Sequence, residues 1–459
     1  MNAAPLEIAE RALGHTTGAA QATVTRERSL LSRFARSRPT QATQVDDTSV
    51  AILRIHEGHT GTADTNDLSD EGLRDVAARA DAAARAAAAA ADGPGEYPGL
   101  PDAAPVPATD GFDAATAELD PAVAGAALAA AFAACAERGL EAFGVWTAGD
   151  VETAIASSGG VRASERVTDA FMKVIARDDG GRTGWGSNTA VGAAGIDPAA
   201  IAARAVGKVT RAEPVDLEPG EYPVVLEPEA IGELLDYFAS LAFNGLAHAE
   251  GRGALVGRLG TRVAAPSINL SDSPRFARTL PRAFDLEGVP KAPLPLIQDG
   301  VAHRVVHDTR SAARAGGGAR STGHATAPGG GGFGPHPMNL VLIGGGAADE
   351  MALAAPIERG LYVTRFWYVN AVHEKQTLLT GMTRDGTFLI EDGRITRPVR
   401  DVRFTDSVLR ILEATEDLTS TQRLVSEAEF YGRRFASGVV VPALRAGGFR
   451  ITGATVAGA

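Results

Sequence analysis

The sequence predicts an α+β protein. A mixed N-terminal α/β domain with antiparallel strands and alanine-rich helices spans 1–215, and a β-rich C-terminal domain spans 216–459. Three observations lead there. Runs rich in β-branched residues are separated by Gly-Gly and Asp-Gly punctuation, as in antiparallel meanders. Two helical stretches are rich in alanine behind capping residues. A proline-containing linker, Glu213 to Glu221, divides the helix-rich half from the strand-rich one.

The elements follow in order. Residues 5–14 read as a short helix, and pieces of 15–68 such as Thr48-Ser49-Val50-Ala51-Ile52-Leu53-Arg54-Ile55 read as strands. Ser69-Asp70-Glu71 supplies a cap and first-turn acids for an alanine-rich helix that Asp92-Gly93-Pro94 stops. Residues 92–112 are a proline- and glycine-rich loop. Asp120-Pro121 opens a second helix, to about Gly139, with Cys135 inside it. Strands are expected at 144–147, 153–158 and 167–177, then a helix from Asp197-Pro198 to about Val209. The second half starts with a strand, Tyr222 to Leu226, and one long apolar helix over 229–247. Turns are expected at Asp299-Gly300, Asp385-Gly386 and Asp392-Gly393, the last inside a strong hairpin signal, because Asp-Gly tolerates the positive φ of a tight turn. A short helix over 406–413 and a strand over 449–452 close the chain.

Composition excludes several function classes. Of 459 residues, 44 are Lys or Arg and 56 are Asp or Glu, a net charge of −12, which argues against nucleic acid or an anionic membrane as the main partner. No apolar run reaches the roughly 18 residues of a membrane span. The N-terminus carries acids where a secretory signal needs a basic flank, so a cytoplasmic location is expected. Cys135 is the only cysteine; no intrachain disulfide or cysteine cage can form, and nine histidines carry any transition-metal potential.

Several patterns invite chemistry. His303 and His307 have helical ligand spacing, but their β-branched segment reads as a strand, where four residues span about 13 Å, too far to share one ion. His248, Glu250 and Arg252 cluster at a helix end without the second histidine of a zinc helix, so polarity at a helix C-terminus explains them. The glycine runs 316–318 and 329–332, flanking Ser321-Thr322-Gly323-His324, match neither phosphate-binding pattern and read as loops. Arg365 to Glu374 gathers three aromatics before His373-Glu374, a potential acid–base pair with no nucleophile, equally a strand with one face in the core.

A resemblance adds to these residue-level readings. Leu255-Val256-Gly257-Arg258-Leu259-Gly260, Asp308-Thr309-Arg310-Ser311-Ala312, Ser321 to Ala325, Pro337 to Val341 and above all Thr380 to Val399 resemble the TldD/PmbA family of metallopeptidase-related proteins. The likeness covers about 216–459 and is compatible with 1–215. It implies one of two subunit types. TldD-like subunits hold zinc with a His-Glu-x-x-x-His helix and a cysteine near the C-terminus; PmbA-like subunits, also called TldE, lack both and pair with the first. Here the three helical slots fall near Asp236, Tyr237 and Ser240, and the tail from Gly438 to Ala459 has no cysteine. The resemblance therefore implies a PmbA/TldE-like chain with no catalytic, cofactor-binding or metal-ligating residue to carry over. Zinc is expected in a TldD-like partner, in a dimer acting on short or unfolded peptides that bind as extended strands. Two alternatives stand beside it: a peptide-binding homodimer, and an enzyme using a non-standard site such as His248 with Glu250 or His373 with Glu374.

Overall fold

The computed structural model describes residues 3–426 and 432–454. Helix α1 (Pro5–Gly14) precedes three strands, β1 (Ala20–Ala35), β2 (Arg38–His56) and β3 (His59–Thr65). The alanine-rich α2 (Asp70–Ala90) begins where the Ser69 side chain accepts the Gly72 N–H. A short α3 (Ala114–Ala117) and then α4 (Pro121–Ala136), capped by Asp120, follow the loop. Strands β4 (Glu141–Ser157), β5 (Arg162–Arg177) and β6 (Thr183–Ala190) complete a six-stranded antiparallel sheet, ordered β3-β2-β1-β4-β5-β6, and α5 (Pro198–Gly207) packs on β5 and β6.

The pleat of β1 shows how the sheet divides its faces. Ala22 and Val24 pack under α1 and α2, while Gln21, Thr23, Glu27 and Ser29, also buried, point to the second half of the chain. The expected break between strands 144–147 and 153–158 does not occur. β4 runs straight through Gly149-Asp150-Val151-Glu152, because Arg166 forks onto both oxygens of Asp150 (2.8 and 2.7 Å) and keeps the carboxylate paired inside the sheet.

The second half is a mixed eleven-stranded sheet. It begins with β7 (Gly220–Leu226), α6 (Pro228–Ala242) and α7 (Gly245–Ala249), then the short β8 (Leu270–Asp272), β9 (Leu294–Gln298), β10 (Val301–Ala302) and β11 (Leu340–Leu342). The long strands follow: β12 (Arg359–His373), β13 (Leu378–Glu391), β14 (Arg394–Pro398), β15 (Val402–Ser407), β16 (Thr415–Val425) and β17 (Val439–Ala454). Pairing runs β17-β15-β13-β12-β7 and returns from β7 to β17, so five strands close into a ring. Phe366, Phe404 and Phe449 meet with centroids 4.4 to 5.7 Å apart, and α6 adds Ile231, Leu234, Leu235 and Phe238 to the same core.

Four sequence expectations change here. The single helix over 229–247 is two helices, because Asn244 turns extended and its side chain accepts the Leu246 and Ala247 N–H groups, starting α7 afresh. Asp385-Gly386 is no hairpin turn: both residues have positive φ (55° and 131°), but they form a bulge inside β13, which keeps pairing with β12 on both sides. Asp392-Gly393, at φ 47° and 75°, does make the β13–β14 turn. Asp406 and Ser407 end β15, and Ser407 caps a helix over Val408–Glu413. The strand expected through His303 and His307 stops at Ala302; beyond it only Val306 makes a bridge, to Asn244.

The two sheets meet along a polar seam. Arg434 forks onto Asp169 (2.7 and 2.6 Å), donates to Thr147 and offers its backbone N–H to Glu27. Arg282 pairs with Glu165 at 2.7 Å, and Tyr97 Oη donates to Glu287. All of these side chains are buried.

Candidate functional site

Where β5 and β6 face α6 and β12, the sheets leave a cavity of about 370 Å³. The amphipathic spacing of α6 builds one wall: Glu229, Gly232, Glu233 and Asp236 line the opening while the apolar stripe faces the core. Gly232 is required by close approach, since a Cβ there would stand 2.9 Å from Val425. Phe171, Lys173 and Trp185 form the opposite wall. Arg365 joins them from β12, its guanidinium 4.2 Å from the Trp185 ring centroid and its charge paired with Asp385 at 2.7 Å.

A buried polar network anchors the first turn of α6. Glu227 receives Lys208 Nζ (2.8 Å), Tyr362 Oη (2.5 Å) and Thr364 Oγ1 (3.1 Å). Glu229 pairs with Arg423 (2.8 Å) and accepts from Ser187. Burial, then the neighbouring Glu227, pushes the Glu229 carboxyl above its ordinary range, and burial raises the Tyr362 phenol. Lys208 and Ser187 come from the first half of the chain, so the network fixes α6 against the first sheet.

The positions where the resemblance puts zinc ligands lie on the outer half of α6. Asp236 is exposed at the cavity edge, Tyr237 donates its hydroxyl to the Val369 carbonyl (2.5 Å), and Ser240 shares a hydrogen bond of 3.1 Å with His336 Nδ1. The other nitrogen, His336 Nε2, is 3.6 Å from Asp236. Both ring nitrogens of the one nearby histidine thus face protein partners, and the donors turn toward each other. This set does not fit a tetrahedral zinc ion, which needs three ligands aimed at one point. Cys135 lies in α4 under the first sheet, and burial pushes its thiol up to about 11. Among the described residues, no group of three or more His, Cys, Asp or Glu is placed to hold a metal ion.

The other candidates separate. Arg252 bonds Glu250 (2.7 Å) and reaches Glu374 (3.3 Å), which brings the two proposed acid–base pairs to one surface but leaves both glutamates as salt-bridge partners. His373 Nδ1 accepts the Gln376 N–H as a cap. His307 is held beside Ser311, and His303 stays exposed. The first glycine run follows the helix Thr309–Ala315, and the second packs near Asp308 and Leu53. The sequence reading misses His336 and the Trp185–Arg365 wall, since their partners lie far away along the chain. An acidic stripe at positions 229, 233 and 236 of a mostly apolar helix is the signal that could have found the cavity.

Models of the PmbA/TldA metallopeptidase family match the chain in three parts: domain 1 over residues 20–90, the central domain over 110–213 and the C-terminal domain over 219–453. The chain belongs to the PmbA/TldD family. A metalloprotease from Methanothermobacter thermautotrophicus is 25% identical over 212 residues, 45% of this chain, and the match spans 44% of that protein's length. The crystal structure of TldE from Thermococcus kodakarensis superposes with a TM-score of 0.85 at 20% identity, covering 98% of this chain and all of that one. A protein named as a candidate modulator of a DNA gyrase, from Thermotoga maritima, superposes at 0.79 with 18% identity over 95% of this chain and 96% of its own. At these identities the structures establish that the PmbA/TldD chain has a TldE-type α+β fold.

Proposed function

We propose that this PmbA/TldD-family chain is the non-catalytic subunit of a TldD/TldE-type zinc peptidase complex, cytoplasmic and acting on short or unfolded peptides. One observation carries the reading. The helix where the family resemblance expects zinc ligands presents an exposed Asp236 together with Tyr237 and Ser240, which bond to protein groups, while the only cysteine sits in α4. Zinc and the water it activates are then the contribution of a TldD-like partner. The chain, read as domains 1–215 and 216–459, supplies the other wall of the peptide chamber and no cofactor of its own.

Co-expression with a TldD-like protein from the same genome tests this. The expected result is a co-eluting heterodimer with one zinc per pair, retained when Asp236 is changed to Asn, and peptidase activity well above that of the partner alone. No complex, together with full activity in the isolated partner, overturns it.

A further inference from the structure

Beside the central cavity a second one, of about 340 Å³, opens between the same two sheets, and Lys173 and Arg365 line both. β5 presents Lys173, Ile175 and Arg177 to it, every second residue of one strand face. The other sheet contributes Arg365 and Trp367 from β12 and Arg384 and Asp385 from β13. Arg365 and Arg384 stand directly opposite each other in the β12–β13 register, where like charges repel and cost stability. The bulge at Asp385-Gly386 breaks the alternation of β13, so Asp385 lines the same cavity as its neighbour Arg384. Its carboxylate nevertheless goes to Arg365, 2.8 Å from Nε and 2.7 Å from Nη2. Arg384 is left with the Trp367 ring, 3.9 Å from the centroid, and among the described residues no carboxylate forms an ion pair with it. Asp401 feels its charge without pairing with it; burial, then the charge of Asp385, pushes that carboxyl up to about 7. The lining thus holds four cations and one carboxylate, and the half-buried guanidinium of Arg384 keeps its fork of donors unspent on protein carboxylates.

We propose that this cavity is a carboxylate site, in which Arg384 forks onto the carboxylate of a short peptide, supplied by its C-terminus or by an acidic side chain. Lys173 and Arg177 add to the attracting field, and Phe143, Ile175 and Trp367 take the adjoining apolar atoms of the peptide. A bare inorganic anion would use the cations and leave those apolar walls without a partner. The site rests on the peptide-binding reading of the chain and adds the group by which the peptide is held; no bond is made or broken there.

Calorimetric titration of the purified full-length chain, without any partner, tests this with an alanine-alanine-phenylalanine tripeptide as the free acid and as its C-terminal amide. The free acid is expected to bind about tenfold more tightly than the amide, as a charge-assisted pair allows. In Arg384→Gln the acid should fall to the affinity of the amide, which itself stays unchanged. Arg384→Lys, which keeps the charge and loses the fork, should fall between. A peptide amide ending in glutamate separates the two sources: affinity equal to the free acid assigns the site to an acidic side chain, and affinity at the level of the first amide assigns it to the C-terminus. Because Arg384→Gln removes a like-charge pair, a melting temperature no lower than the parent's is expected and verifies that the variant folds. Equal affinities of the free acid and both amides, no measurable binding of any, or a free-acid affinity unchanged in Arg384→Gln overturns the proposal. Complex formation with a TldD-like partner is measured separately, so failure of the carboxylate site and failure of the subunit role are told apart.

Discussion

The seam between the sheets and the cluster on α6 use the same kinds of residue to opposite ends. At the seam, Arg434 and Asp169 are each only 2% exposed and every nitrogen of the guanidinium fork has a named partner. On α6, Asp236 is 68% exposed and meets a histidine at 3.6 Å. Desolvated charges are costly to leave unpaired, whereas exposed ones exchange protein for water at almost no cost. The seam is therefore where charge fixes geometry, and α6 is where charge remains available to a ligand.

The strongest way to break this contrast is at Arg434. Arg434→Met leaves Asp169 buried without its cation, and the expected loss is about 3–5 kcal/mol of stability in denaturant titration. Adding Asp169→Leu removes the stranded charge and should recover a large part of that loss. If the single variant unfolds at the parent's midpoint, the seam is no firmer than a surface pair.

A pH titration separates the regions next. Asp285 and Glu287 are buried in the seam loop; burial first, and each other's charge in the case of Glu287, raises both carboxyls, Glu287 to about 8. Tyr97 and Thr309 bond Glu287, Lys291 faces Asp285, and Asp308 adds negative charge. A carboxyl whose folded pKa lies above its unfolded one contributes stability at low pH and loses it as pH rises through the folded value. Stability should fall between about pH 4.5 and 8, and Glu287→Gln should flatten that slope. A pH-independent melting temperature over this window would show that the loop carries no buried proton.

The contrast also explains what the sequence could show. Ser69, Asp120 and Asp392-Gly393 announce themselves because capping and tight turns are local, decided within a few residues. The α+β class follows from the same local signals. Asp150 reads as a break in a strand, and Asp385-Gly386 as a turn, because the partners that overrule them, Arg166 and the continuing β12 pairing, lie 16 or more residues away. The cavity is less legible still, since Trp185, Glu229 and Arg365 meet only after both sheets have folded. Asp236, Tyr237 and Ser240 were found through the family resemblance, but His336, which faces Asp236 and Ser240, is 96 residues from Ser240 and no spacing rule reaches it.

The smallest expected effect sharpens the comparison most. Asp236→Asn removes an exposed carboxylate whose pairing with His336 is screened by water, so stability should change by no more than about 0.5 kcal/mol. The contacts that hold α6 in place lie elsewhere: Lys208 and Tyr362 on Glu227, Arg423 on Glu229, and the apolar stripe in the core. A denaturant midpoint within error of the parent would show that the exposed half of α6 contributes little to holding the helix in place. A loss of 2 kcal/mol or so would instead make Asp236 part of the scaffold, and α6 would then resemble the seam.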